Sequence, residues 1–394
     1  MLPIALGTGV SLLGDASLYV ILPINMESAG VTLAQVGILL SANRVVRLLF
    51  NNLGGVAYDR LPRRPLFVSA LVLGAISSAI YAFAKGYYPL LLGRLIWGVA
   101  WVGIWIGGNT IILDNCTEQD RGRWIGIYQM AFFLGASSGA IFGGALNDLI
   151  GLQYTMGLAA ALTFVSALFA LLLLPGNNRG SQRESLAGTA VTTQKPRLAI
   201  RDRLPPLALL GAYRLVVAGI LLSTFSLYLQ QQFGQTFDIG SLSIGLSTMA
   251  GAGLGIGSMV SLAASPLAGH LSDRADSRWR VVSVALLPGI VGYILLALAA
   301  PFAVILGLPL IFASSGSNQS LATTLVGDLT DPKMRSRSLG WLYTVGDLAS
   351  AIGPLLAFGV LIPLAGTTGL YIFCMLVLLI LFLYSLSLQR IKSR

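Results

Sequence analysis

The sequence predicts an all-α membrane protein in which twelve transmembrane helices form two pseudo-symmetric six-helix bundles. Three observations support this fold class. Of the 394 residues, 55% are hydrophobic and only 10% are charged, whereas soluble proteins contain about 25% charged residues. Apolar segments long enough to cross a bilayer, about 20 residues each, follow one another along the chain with short turns between them. A skeleton of glycines and charges in the first half recurs in the second.

The predicted spans divide the chain into two halves of six. They lie at residues 4–24, 33–57, 66–84, 88–113, 124–146, 152–174, 211–234, 246–270, 280–299, 302–326, 338–362 and 366–388. The bundles therefore occupy residues 1–174 and 211–394. Residues 175–210 between them are rich in Gly, Ser, Thr, Pro and Arg, which predicts a cytoplasmic linker.

The internal repeat supports this division. The segment GVAYDRLPRR at Gly55–Arg64 is echoed by GHLSDRADSR at Gly269–Arg278. The same ungapped shift carries Asp114 to Asp328. Because both copies lie between long apolar segments, the repeat indicates a duplication of membrane helices.

The net charge of +10 raises the question of a nucleic-acid partner, and the positions of the basic residues answer it. They fall at alternate connections or at the C-terminus, and the opposite connections hold only Lys85. This is the positive-inside pattern, which predicts that both termini are cytoplasmic in a plasma (inner) membrane. No basic stretch is interleaved with exposed aromatics, so we expect no nucleic-acid partner.

The sequence offers little for catalysis. Cys116 lies in a predicted loop and Cys374 deep in the last span, so they predict neither a disulfide nor a metal site. No Ser/His/Asp set at membrane depth and no HExxH motif is present. We therefore expect no cofactor and no enzymatic activity.

Ionisable residues inside the predicted spans are the first candidates for function. A charge near the bilayer centre costs about 2.5 to 3.5 kcal/mol on insertion scales, so it usually faces a partner or a watery cavity. Such residues are Asp15, Arg44, Arg47, Arg94 and Asp347. Asp15 and Arg44 each lie about eleven residues into antiparallel spans, which places both near mid-depth.

Aromatic and polar side chains near these charges predict the walls of a solute cavity. In the fourth span, Arg94, Trp97, Trp101, Trp105 and Asn109 share one helical stripe. A tryptophan stripe can instead face lipid or a packed neighbour. Other cavity candidates are Tyr19 in the first span and, in the second half, Ser226, Gln230, Asn318, Gln319 and Tyr343. The second-half hydroxyls and amides suit hydrogen bonds to a solute or between helices equally well.

The loop at Gly55–Arg64 resembles the signature of the major facilitator superfamily of secondary transporters. The pattern G-x-x-x-D-R-x-G-R-R is matched at Gly55, Asp59, Arg60, Arg63 and Arg64, with Pro62 at its second glycine. Arg94 and Gly98 resemble a fourth-helix signature. The fifth-helix antiporter signature is similar to Gly135, Gly139, Gly143 and Gly144, with Ala140 at its proline. The resemblance covers essentially the whole chain, and its motifs are most similar to those of drug/proton antiporters.

The resemblance implies a cytoplasmic latch that joins the two bundles in an outward-open state. Its residues are Gly55, Asp59, Arg63, Arg64 and Asp114 in the first half, and Asp273, Arg278 and Asp328 in the second. Charge pairs at a bundle end can form in one state and break in the other, which biases a two-state equilibrium. Alternatively, these charges only fix the topology.

The leading hypothesis is a monomeric transporter that exports small amphipathic compounds in exchange for protons by alternating access. Asp15 is the first candidate for the proton site, because it could exchange an arginine partner for a proton, and Asp347 is the second. The alternative for Asp15 is a permanent structural ion pair. The alternatives for the whole protein are a carrier of an organic anion or sugar-like solute, and a membrane sensor that does not transport.

Overall fold

The structure is a computed structural model that describes residues 1–117, 120–174, 200–239, 242–329 and 335–392. The first half contains α1 (Leu2–Ile21), a 3₁₀ turn (Leu22–Ile24), α2 (Met26–Ala29), α3 (Leu33–Arg60), α4 (Arg63–Phe83), α5 (Tyr87–Asn115) and α6 (Arg121–Leu173). The second half contains α7 (Ile200–Tyr213), a π-helical stretch (Arg214–Leu221), α8 (Leu222–Phe233), β1 (Thr236–Ile239), β2 (Leu242–Gly245), α9 (Leu246–Arg274), α10 (Arg278–Ala297), α11 (Pro301–Leu329), α12 (Arg335–Leu356), a second π-helical stretch (Ala357–Leu361) and α13 (Ile362–Lys392).

The membrane-crossing segments agree with the all-α prediction. Among the described residues, ten helices are long and apolar enough to cross a membrane. Two of them, of 51 and 50 residues, have more than twice the roughly 20 residues that one crossing needs. They break at Gly151, with φ 81°, and at Gly366, with φ 66°, in the left-handed region that favours glycine. Divided at these glycines, the crossing segments number twelve.

Two connections differ from the prediction. Most of the expected linker, residues 175–199, lies outside the described part of the chain, but residues 200–210 are helical and belong to α7. The linker therefore ends earlier than predicted. Instead of a short turn, α8 and α9 are joined by an antiparallel β-hairpin in which Thr236 pairs with Gly245.

Small residues set the packing inside the first half. On α6, a Cβ at Gly135 or Gly143 would collide with Gly9 or Ser17 of α1. Ser17 donates a hydrogen bond of 2.8 Å to the carbonyl of Gly139. Glycines at this spacing let two membrane helices approach closely, so the motif that resembles the antiporter signature forms the α1–α6 contact.

Small residues also join the two halves. A Cβ at Gly144 of α6 would collide with Ser247 of α9, and one at Gly251 of α9 with Ala140 of α6. On the other side of the molecule, a Cβ at Gly37 of α3 would lie 2.9 Å from the carbonyl oxygen of Pro354 in α12. We call the end of the bundle that carries these contacts the closed end. It is opposite the end that carries the repeated loops at 55–64 and 269–278, which we call the basic end.

Toward the basic end the two halves separate. Arg47 of α3 and Asp347 of α12 are in contact across the halves. Asn51 lies one turn beyond Arg47 on the same face of its helix, and Tyr343 lies one turn beyond Asp347. Both Asn51 and Tyr343 are exposed. A cleft therefore opens between α3 and α12 toward the basic end, and we call it the central cleft.

Candidate functional site

Asp15 and Arg94 form an ion pair inside the first half. The Arg94 Nη1 atom lies 2.5 Å from Asp15 Oδ1, and the side chains are 1% and 16% exposed. Arg94 Nε also donates to the carbonyl of Leu39 at 3.0 Å, and Nη2 donates to the Tyr19 hydroxyl at 3.1 Å. The structure thus brings together Asp15, Tyr19 and Arg94, and it holds the guanidinium on three sides.

Arg44 connects the two halves through backbone carbonyls. Its guanidinium donates to the carbonyl of Ser350 in α12 and, at 2.7 Å, to that of Ala218 in the π-helical stretch after α7. It also lies over the Tyr19 ring, 5.2 Å from the ring centroid, while Arg94 lies 5.3 Å from it. The Tyr19 ring between two guanidiniums lowers the cost of placing them close together, because the ring face attracts cations.

Arg47 and Asp347 form an ion pair across the contact between the halves. The Arg47 Nη2 atom lies 2.9 Å from Asp347 Oδ1, and the side chains are 18% and 23% exposed. A third charge, Arg214, lies near Asp347 and Arg47. The stem of Arg214 passes over Gly346, where a Cβ would lie 3.1 Å from its Cγ. These side chains line the central cleft.

Arg214 is not among the ionisable residues predicted inside the spans, because the seventh span was predicted to begin at residue 211, which places Arg214 at its edge. In the structure the seventh crossing begins at Leu204, so Arg214 lies about 15 Å along the helix, near mid-depth. The two consecutive prolines Pro205 and Pro206 made the start of this span read as a loop. The available signal was the long apolar run that begins at Leu207, which leaves Arg214 inside the span.

The three tryptophans of the α5 stripe differ in their exposure. Trp97 is 3% exposed and Trp101 7% exposed. Trp97 lies against Gly74 of α4, and Trp101 and Trp105 contact Phe132 of α6. The alternative noted for the stripe, a packed neighbour, therefore describes Trp97 and Trp101. Trp105 is half-buried.

Of the other polar candidates, only Tyr343 is exposed in the central cleft. Asn318 is fully buried in a network within the second half. Its side-chain amide donates hydrogen bonds to the Tyr213 hydroxyl at 3.3 Å and to the Ser314 carbonyl at 2.9 Å. Ser226 is buried as well. Gln230, Gln319 and Asn109 are half-buried, and Asn109 donates to the carbonyl of Trp105 at 2.8 Å. Asn318 thus links α11 to α7, whereas the buried Ser226 hydroxyl has no hydrogen-bond partner in the structure.

The latch residues pair within each half. Arg63 forms an ion pair with Asp114. In the second half Arg278 Nε lies 2.5 Å from Asp328, and its Nη1 lies 2.8 Å from Asp273. Since each pair belongs to one repeat, the described ion pairs at the basic end do not join the two halves in this state.

The remaining motif residues have other positions. Arg64, which the repeat aligns with Arg278, donates instead to the carbonyl of Leu171 at the end of α6. Asp59 is exposed, and a Cβ at Gly55 would meet nothing within 4 Å. The two repeats thus use arginines one position apart for the same ion pair.

A contact at the closed end was not anticipated. The carboxylate of Asp148, in α6, accepts hydrogen bonds from the Ser247 amide at 3.3 Å and from the Thr248 amide at 2.7 Å. These are amides of the first turn of α9, whose own N-cap residue Gly245 provides no side-chain cap. A residue of one half therefore caps a helix of the other. A Cβ at Gly245 would collide with Asp148, so this glycine leaves room for the carboxylate.

The fold and the charged central cleft define a multi-pass integral membrane transporter. A family model described as Major Facilitator Superfamily matches residues 4–263 and 247–393. The chain belongs to this superfamily, whose members are transporters and not enzymes. The predicted family and the predicted all-α fold are confirmed.

Individual relatives are more distant. The chain is 26% identical over 324 residues to the class E tetracycline resistance protein of Escherichia coli. This alignment covers 81% of this chain and 76% of that protein. It is 26% identical over 365 residues to a probable 4-methylmuconolactone transporter of Cupriavidus pinatubonensis, covering 89% and 81%. The structure is similar to a bacterial homologue of the human lysosomal transporter Spinster in an inward-facing and occupied conformation. The TM-score between the two structures is 0.80 and their sequence identity is 18%. The superposition covers 100% of this chain and 97% of the other.

Proposed function

We propose that this protein exports small amphipathic compounds in exchange for protons. The observation that carries the proposal is the Arg47–Asp347 ion pair, which crosses the contact between the halves inside the membrane. The similarity to a tetracycline resistance protein supports export of such compounds. The basic end faces the cytoplasm in this proposal, so the central cleft is open inward.

Asp347 is well placed to couple the proton to the motion. Rocking of the halves separates Arg47 from Asp347, and an unpaired carboxylate at membrane depth is costly. A proton on Asp347 removes that cost. Asp15 is the second proton site of the proposal, but its partner Arg94 belongs to the same half, so rocking does not by itself separate them.

The latch residues serve the opposite state. When the basic end closes, Asp59, Arg63 and Arg278 come close to the other half and hold the cleft shut from the cytoplasm. In the present state the ion pairs of Arg63 and Arg278 lie within their own halves.

Transport into proteoliposomes tests the direction of coupling. A panel of fluorescent amphipathic compounds that includes tetracycline is offered to vesicles with an inside-acid or an inside-alkaline gradient. Antiport predicts accumulation only with the inside-acid gradient. Accumulation driven by the inside-alkaline gradient would indicate symport and overturn the proposal.

Substitution of the two carboxylates then assigns the proton site. We expect Asp347→Asn to abolish gradient-driven accumulation while solute exchange in the absence of a gradient continues, because the neutral side chain no longer cycles a proton. Arg280→Gln, an exposed charge outside the cleft, serves as the control. If Asp15→Asn retains full gradient-driven transport, the Asp15–Arg94 pair is structural.

A further inference from the structure

The charges at membrane depth do not balance. In the interior of the described spans, four arginines face two aspartates: Arg44, Arg47, Arg94 and Arg214 against Asp15 and Asp347. Asp15 neutralises Arg94 in a direct ion pair. Asp347 remains as the carboxylate partner for Arg47 and Arg214, and Arg44 is held by carbonyls. Buried cations normally have anionic partners, because an uncompensated charge in the membrane interior is costly.

The excess positive charge borders the central cleft. Arg44 is buried, and the carbonyls of Ser350 and Ala218 occupy its donors. Arg47 and Arg214 differ from it, because both are partly exposed. The Nε atom of Arg47 is buried without a hydrogen-bond partner in the structure. These two guanidiniums lie on opposite halves, so an anion between them would contact both.

The neighbouring side chains suit an organic anion more than a small inorganic one. Tyr343 lies one turn from Asp347 on α12 and is 46% exposed, which presents an aromatic ring near the guanidiniums. Asn51, one turn beyond Arg47, adds an exposed amide. Aromatic and apolar surface with a few fixed polar groups is the usual composition of a small-molecule site. Planar guanidiniums bind carboxylates in a two-point geometry.

We propose that the solute carries a negative charge, a carboxylate or a similar oxyanion, which binds between Arg47 and Arg214 with its apolar body against Tyr343. The inference rests on the proposed transport function and specifies its substrate class as amphipathic organic anions. Because Arg47 and Arg214 belong to different halves, the bound anion also holds the halves together at mid-depth.

Matched probes test the charge requirement. Benzoate, naphthalene-2-carboxylate and anthracene-2-carboxylate are each compared with the corresponding carboxamide, which has nearly the same shape but no charge. The readout is the thermal midpoint of the purified full-length protein in nanodiscs, since a ligand that binds the folded state raises it by mass action. We expect at least one carboxylate to raise the midpoint by a few degrees, with a smaller shift for its carboxamide. If no carboxylate exceeds its carboxamide, the inference is wrong.

Substitutions locate the charge. Arg214→Gln and Arg47→Gln should each weaken carboxylate binding by about tenfold or more, because one of two charged contacts is lost. Arg214→Lys should retain part of the preference and provides a variant that keeps the buried charge if Arg214→Gln does not fold. Arg280→Gln makes the same change outside the cleft and should leave binding unchanged. An equal loss of carboxylate binding in Arg280→Gln would contradict the proposed location. So would an undiminished preference for the carboxylate over the carboxamide in both cleft variants.

The outcome is independent of the test of proton coupling. If carboxylates bind but drive no proton exchange, the anion site stands and proton antiport fails. If proton antiport is observed with neutral or cationic solutes and no carboxylate binds, the transport proposal stands and the anion site fails.

Discussion

Arg94 shows how a single residue is stabilised at membrane depth. Its guanidinium meets a carboxylate, a carbonyl and a hydroxyl and lies near the face of the Tyr19 ring. Only 1% of the side chain is exposed. Removing one partner from a buried pair costs more than removing both, because the remaining charge is left without compensation.

This asymmetry gives a first prediction. Arg94→Gln should destabilise the protein by about 3 kcal/mol, the lower end of the range for breaking a buried ion pair. Asp15→Asn should be destabilising as well, because it leaves the 1% exposed Arg94 guanidinium without an anionic partner. The double variant should be more stable than the sum of the two single effects predicts. Thermal unfolding of the purified variants measures all three.

Arg280→Gln is the matched control, since an exposed arginine usually changes stability by less than about 0.5 kcal/mol. Strict additivity of Asp15→Asn and Arg94→Gln would contradict the direct pairing of the two side chains.

At the scale of the helix, α9 depends on the other half for its N-terminal cap. Asp148 accepts from two amides of the first turn and from the Thr248 hydroxyl at 2.7 Å. Asn147 adds a hydrogen bond of 2.8 Å to the Ser247 hydroxyl. Outward opening must break these bonds and leave the first turn of α9 to water. The cap is therefore part of the free-energy difference between the two states.

The second prediction follows from this cap. Asp148→Ala should favour the outward-open state about fivefold, because a lost N-cap costs about 1 kcal/mol. Spin labels at Leu61→Cys and Asp276→Cys, both exposed near the basic end, report the state in a variant lacking Cys116 and Cys374. Electron–electron double resonance should show a larger population of short distances.

Asp148→Asn provides the comparison, because asparagine retains an oxygen acceptor and is a good N-cap residue. Its distance distribution should stay close to that of the parent. An Asp148→Ala distribution identical to the parent would show that the cap does not stabilise the closed end.

At the scale of the whole molecule, the two halves contact each other at one end and carry most of their charge at the other. The glycine contacts of α6 with α9 and of α3 with α12 form the closed end. Arginines and aspartates of both repeats form the basic end. This asymmetry is what an inward-open transporter requires if the basic end is cytoplasmic.

The third prediction concerns this orientation. Lys85→Cys, exposed at the closed end, should react with a membrane-impermeant maleimide in intact cells. Leu61→Cys, exposed at the basic end, should react only after the membrane is permeabilised. Both experiments use the variant lacking Cys116 and Cys374. Labelling of Leu61→Cys in intact cells, with protection of Lys85→Cys, would reverse the orientation.

The fold was accessible from sequence because its signals are local. The hydropathy of each apolar segment is enough to predict that the segment crosses the membrane. The loops that contain glycine, aspartate and arginine recur between corresponding segments of the two halves. The family resemblance grouped Arg63 with Asp114 and Arg278 with Asp328, and the structure shows these ion pairs within each repeat. The sequence predicts that Asp15 has an arginine partner, because a charge at mid-depth needs one, but it does not identify that partner as Arg94.

The site was less accessible because it depends on how each helix is rotated against its neighbours. The period of α5 places Trp97, Trp101 and Arg94 on one stripe, but only packing against Gly74 and Phe132 decides that the tryptophans are buried. The depth of Arg214 and the cap from Asp148 likewise depend on residues distant in the chain.

The sequence by itself thus determined the family, the membrane-crossing segments and the twofold repeat, since hydropathy and motif spacing act along the chain. The tertiary structure alone decided which charges share the central cleft and which end of the bundle is open. Those properties follow from contacts between helices of different halves, and no periodicity within one helix specifies them.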